Sequence, residues 1–225
     1  MPSFIRVFIP VIIVLCLTVA CKKEYSLEGM PEVPVDSLSE PEVVNYAPYT
    51  KGAVYNYMYN KATDTFYYSL TVIGDTLIQG NTYLIQSDGY NKQYMRYSQG
   101  IFYYYEPAYT SPTSYHPAAV RPVLYDYLPL NGHWSDTVKA TTFSGNPETG
   151  LLDYHIIPKA TPKTVLGNTY SKVIGIKQDS YLIIEGKAYS LGTVGNYFYA
   201  DSVGFIEKDA ATDTIRLISY SLKNQ

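Results

Sequence analysis

Hydrophobic and polar positions alternate with a period of two over most of this chain. In Val54-Tyr55-Asn56-Tyr57-Met58-Tyr59-Asn60, Tyr55, Tyr57 and Tyr59 fall on one side, as in a strand with one buried face. Similar segments follow at 65–73, 83–86, 93–97, 101–105, 120–127, 136–143, 151–157, 170–176, 181–184, 197–200, 203–208 and 214–222. Breaks at Gly74, Gly80, Asp88-Gly89 and Gln99-Gly100 separate the earlier ones. No long stretch holds a 3.6-residue period. Short strands at this spacing predict an all-β domain, an antiparallel half-barrel or sandwich with few or no helices.

One turn recurs. Gly80-Asn81-Thr82-Tyr83 reappears as Gly167-Asn168-Thr169-Tyr170, each preceded by a Thr-containing strand. Gly takes positive φ freely and Asn tolerates it, so both sites read as hairpin turns and raise the expectation of two similar halves.

The N-terminus follows a different pattern. Val7–Val19 is almost wholly apolar, yet shorter than the roughly 20 residues that a membrane-spanning helix needs. It reads as a secretory signal peptide. Thr18-Val19-Ala20-Cys21 then resembles a bacterial lipobox, with Thr18 where Leu is usual. That resemblance implies cleavage before Cys21, acylation of its sulfur and amine, and a permanent hold on a membrane, since each buried CH₂ adds about 0.8 kcal/mol. The predicted organisation is a signal peptide at 1–20, a lipidated tether at 21–47 and one β domain at 48–225. Three prolines (Pro31, Pro34, Pro41) and six acids (Glu24, Glu28, Glu32, Asp36, Glu40, Glu42) favour an extended tether.

Composition narrows the function. Charged residues are 16% and the net charge is −3, which gives no basic face for nucleic acid. The two cysteines are Cys16, inside the signal peptide, and Cys21, so no disulfide is expected in the domain. The sequence has no Gly-x-Ser-x-Gly elbow, His-Glu-x-x-His pair, phosphate loop or dinucleotide fingerprint. His116, His133 and His155 lack metal-ligand spacing, and the neighbours His133-Trp134-Ser135-Asp136 cannot converge from one strand. The expectation is therefore no catalysis, no metal and no cofactor.

The chain has 26 Tyr, against one Trp and seven Phe. Tyr suits strands and half-wet surfaces, and with so few Phe and Trp these rings are expected to fill part of the core and to line sheet edges. A row of such rings (Tyr55, Tyr57, Tyr59 with Tyr103 and Tyr105) is a candidate binding face for a glycan, an envelope polymer or an envelope protein. A greasy concave face would instead suit a lipid or lipoprotein carrier.

Tyr197-Phe198-Tyr199-Ala200-Asp201-Ser202-Val203-Gly204-Phe205-Ile206 resembles a motif near the C-terminus of Bacteroidetes-type lipid-anchored lipoproteins, Tyr-Ala-x-x-Val-Gly. The Gly-Asn-Thr-Tyr hairpins, the turn into Trp134 and Lys22-Lys23 after Cys21 are similar to that family. The resemblance implies a half-barrel or sandwich in the cell envelope, at the outer membrane, with periplasmic or surface exposure left open and no established activity. Read physically, Gly204 allows a bulge or close approach that sets the register of the last strands.

Overall fold

The computed structural model describes residues 44–222, so Cys21, the signal peptide and most of the tether lie outside the described residues. The chain forms β1 (Val54–Lys61), β2 (Asp64–Ile78), β3 (Asn81–Ser87), β4 (Lys92–Ser98) and β5 (Ile101–Glu106). Next come β6 (Tyr109–Thr110), β7 (Ser114–His116), β8 (Ala119–Tyr125), β9 (His133–Thr142) and β10 (Pro147–Ile156). The last are β11 (Thr161–Val165), β12 (Asn168–Ile184), β13 (Lys187–Ala200), β14 (Gly204–Asp209) and β15 (Asp213–Ser221). The described residues contain no helix.

All the strands join one antiparallel sheet in the order β6-β7-β9-β10-β12-β13-β14-β15-β1-β2-β3-β4-β5-β8, with β11 attached to β12 off that path. The fold is all-β, as the alternation predicts, and the sheet does not close through backbone pairing. It curls until β8 faces β9, and side chains bridge the seam. Arg121 of β8 reaches Asp136 of β9 at 2.7 Å, and Trp134 Nε1 donates to the Pro122 carbonyl at 3.2 Å. Pro122 has no N–H to offer a further strand, which suits an edge position.

The strand boundaries correct the sequence reading in two places. Gly74 does not end a strand; β2 passes through it with a register shift between Val72 and Gly74, a bulge in the β3 pairing. Segments 170–176 and 181–184 are parts of one long strand, β12, paired along its length with β13 across two register shifts. Gly192 and Gly195 concealed most of β13 from the periodicity.

The repeated turn is a two-residue hairpin in both copies. Positive φ falls on Gln79-Gly80 and Leu166-Gly167, one residue earlier than a Gly-Asn turn would have it. Both central residues of a type I′ turn need φ > 0, and Asn81 and Asn168 instead open the next strands. The β2–β3 copy lies on the main path of the sheet, whereas the other joins the side strand β11 to β12. The echo is a shared turn at inequivalent places.

The core begins before β1. Tyr46, Ala47 and Tyr49 are all buried, so the segment assigned to the end of the tether packs as domain. The Asn45 N–H donates to Asp201 Oδ1 at 2.9 Å and its carbonyl accepts from the Ser202 N–H at 2.8 Å. These bonds fix the segment against the β13–β14 turn. Tyr49 then stacks on Phe102 (5.6 Å) and meets Tyr55 edge-on (5.3 Å).

Candidate functional site

The curled sheet surrounds a wide-mouthed cavity of about 560 Å³, walled by residues of β1–β5, β8, β10 and β12–β15 together with Tyr49. Nine of the described tyrosines line it: Tyr49, Tyr57, Tyr68, Tyr94, Tyr104, Tyr105, Tyr154, Tyr197 and Tyr199. Leu70, Val123, Leu152, Ile176, Phe205 and Ile215 complete the apolar wall, and the exposed Lys92, Gln93 and Pro107 mark its mouth. Strand alternation produces most of this lining, because a strand turns every second side chain inward, while at the mouth β4 and β5 contribute the consecutive residues Lys92-Gln93-Tyr94 and Tyr104-Tyr105-Glu106.

The tyrosines differ in what their hydroxyls do. Tyr57 Oη donates to the Phe205 carbonyl at 3.0 Å, and Tyr49 Oη accepts from the Phe205 N–H at 3.0 Å. Among the described residues, the hydroxyls of Tyr104, Tyr154, Tyr197 and Tyr199 make no hydrogen bond, and none is sealed off, so they open into the interior. Burial holds the Tyr104 and Tyr199 phenols well above their usual pKa, and pushes Tyr68 and Tyr197 up to about 12. All remain protonated at neutral pH, each able to donate and accept. A hydroxyl desolvated without a partner costs about 1–3 kcal/mol. An occupant made only of hydrocarbon would impose that cost at four positions.

One polar side chain in the wall is unusual. Gln86 of β3 is 3% exposed, lines the cavity, and has no hydrogen-bond partner for Nε2. Opposite it on β4 is Gln93. At the seam, Arg121 is held between Glu106 Oε2 and Asp136 Oδ2, both at 2.7 Å. Burial acts to lower its pKa, but the bonds to Glu106 and Asp136 outweigh this and the net shift is upward. Its charge is thus committed to two carboxylates.

The candidate binding row does not survive as a surface. Tyr55 and Tyr57 are 0% and 2% exposed. Tyr55 is core, stacked on Tyr220; Tyr57 is cavity wall. Tyr59 is half-buried, stacked on Phe66, and its hydroxyl donates to Asp213. Phe102 is buried in the core cluster and Tyr104 packs against that cluster, so Tyr103 between them takes the other face, where Arg96 covers its ring at 4.5 Å. Tyr105 packs edge-on against Tyr94 at the cavity wall. The shared-side pattern was sound, but the shared side of β1 is the interior.

The turn residues sit as follows. Gly80 and Gly167 have φ of +78° and +84° with open space around them, whereas Gly204 (φ +99°) lies against the Tyr49 ring. The Asn81 side chain donates to the Gln79 carbonyl at 3.2 Å, and Asn168 pairs with Val165 across its turn.

Histidines come together only in part. Strand pairing sets His133 opposite His155, and His155 Nε2 lies 2.9 Å from Asp153. Among the described residues, no group of three or more His, Cys, Asp or Glu is arranged to hold a metal. His116 stacks on Tyr109 at 4.4 Å.

Gln86 and Arg121 were not picked out from sequence. The signal for Gln86 was available: in Tyr83-Leu84-Ile85-Gln86 it shares the inward parity of Leu84, an unusual place for an amide. No protein-family model and no curated protein matches this chain. Among solved structures, one similar chain is a protein of Bacteroides fragilis NCTC 9343 thought to be exported, with a YmcC-like fold. It is 9% identical, with a TM-score of 0.50, covering 80% of this chain and 100% of that one. Another, from Parabacteroides distasonis ATCC 8503 and thought to be a lipoprotein, is 12% identical at a TM-score of 0.49, with the same coverage. The first likeness identifies the fold as YmcC-like.

Proposed function

We propose that this chain is a lipid-anchored cell-envelope protein whose β domain is a non-catalytic binding module, with the tyrosine-lined interior as its site. The observation that carries the binding reading is the cavity: about 560 Å³ of interior left unfilled behind nine tyrosines. Protein cores otherwise pack to crystal-like density, and small-molecule sites fall in the range of about 300–1,000 Å³. The anchoring reading rests on Thr18-Val19-Ala20-Cys21 after the apolar run, and the exported character ascribed to the B. fragilis neighbour agrees with it.

Between the two ligand classes open from the sequence, the hydroxyls argue against a purely hydrocarbon guest. Burying a chain of CH₂ groups gains about 0.8 kcal/mol each. Four orphaned hydroxyls and a buried amide would cancel much of that gain.

Thermal stability of the chain in fractions of its own envelope extract tests the module. At least one fraction should raise the melting temperature of the wild type and leave Leu152→Trp, which fills the cavity, unmoved. No shift in any fraction would count against a binding role.

A further inference from the structure

Resting on the reading of the interior as a binding site, we infer that its ligand is a neutral, polyhydroxylated ring compound of mono- or disaccharide size, and that Gln86 selects it. Three features converge on that chemistry. The walls offer aromatic faces, which pack against the C–H faces of a ring. The hydroxyls of Tyr104, Tyr154, Tyr197 and Tyr199 point in without protein partners, and a ligand with many hydroxyls satisfies them where an acyl chain does not. The formal charges in the wall are few: Arg121 is held between Glu106 and Asp136, a cluster of net charge −1 at the seam, and Lys92 stands exposed at the mouth. The interior therefore offers no free cation to an anionic guest, and its one net negative charge is held at the seam against Arg121.

Gln86 provides the discriminating contact. Its amide is buried, faces the cavity and lacks an acceptor. A buried donor without a partner is rare in native proteins, and an amide has a soft terminal torsion that lets it turn toward a guest. A ring hydroxyl or ring oxygen beside Nε2 completes the missing bond. A site built to hydrogen-bond its ligand rejects analogues that leave the bond unmade.

Trp134 reports on the cavity. It is the only Trp in the chain and lies flat on the cavity-lining Tyr154, with ring centroids 5.0 Å apart. The mature chain carrying Cys21→Ala is titrated with maltose, cellobiose and chitobiose, and separately with palmitate, while Trp134 emission is followed. The expected result is a saturable response to at least one disaccharide, weakened about fivefold to tenfold in Gln86→Leu, with no response in Leu152→Phe, which narrows the cavity and keeps Trp134 the single Trp. Gln86→Leu should melt at or above the wild-type temperature, because it removes an unsatisfied donor; an amide with a structural role would lose stability instead. Palmitate binding without disaccharide binding overturns the ligand class and leaves the binding module standing. Silence toward every probe overturns both, and equal disaccharide binding by Gln86→Leu overturns its selecting role.

Discussion

A Cβ on Gly204 would lie 2.8 Å from the hydroxyl oxygen of Tyr49, and that same hydroxyl accepts the N–H of the next residue, Phe205, at 3.0 Å. The lead-in to β1 and the start of β14 are thereby locked together. Gly204 also has φ +99°, which an L side chain rarely adopts, so Gly204→Ala combines backbone strain of about 1–3 kcal/mol with a collision. Gly80 and Gly167 have positive φ but open surroundings. Urea denaturation should therefore show a larger loss for Gly204→Ala than for Gly80→Ala or Gly167→Ala. Equal losses would mean that the Tyr49 contact contributes nothing.

The buried phenols set an alkaline limit. Tyr49, Tyr57 and Tyr199 all have pKa values raised by burial, against about 10 in the unfolded chain. Below pH 10 both states hold these protons and stability is intact. Above it the unfolded chain releases them and the folded chain does not, so stability falls as pH rises toward the folded values. Each such phenol adds about 1.4 kcal/mol of loss per pH unit. Urea midpoints measured from pH 8 to 11.5 should be level to about pH 10 and then drop steeply.

At the seam, Arg121→Met removes the cation between Glu106 and Asp136 and leaves two carboxylates facing each other. The variant should lose roughly 2 kcal/mol, and Trp134, which bonds across the same seam to Pro122, should shift its emission. Adding Glu106→Gln and Asp136→Asn should restore part of the stability. A seam indifferent to Arg121 would leave both readings at the wild-type level.

Much of this architecture is legible in the sequence, and what is missed has identifiable causes. Alternation placed Tyr55 and Tyr57 on one side of a strand, yet parity does not say which side of a curled sheet becomes the interior. Gly74 read as a break because a bulge and a turn use the same residue. Tyr46 read as tether because the segment is fixed through Asn45 to Asp201 and Ser202, within the C-terminal motif and distant in sequence. The cavity belongs to eleven strands at once, and no local window of sequence contains it. Gln86 alone carried a local sign, an amide at an inward position.

For the anchor, cells fed labelled palmitate should transfer label to the wild-type chain and not to Cys21→Ala. Label retained by the variant would move the modification elsewhere or dismiss it.

The central claim is that the tyrosines enclose an interior that receives polar guests. A crystal structure of the mature chain, at a resolution that shows ordered water, tests it most directly. Water or ligand bonded to the hydroxyls of Tyr104, Tyr154 and Tyr199 and to the Gln86 amide is the predicted result. A dry, collapsed interior with those rings packed against one another would contradict it.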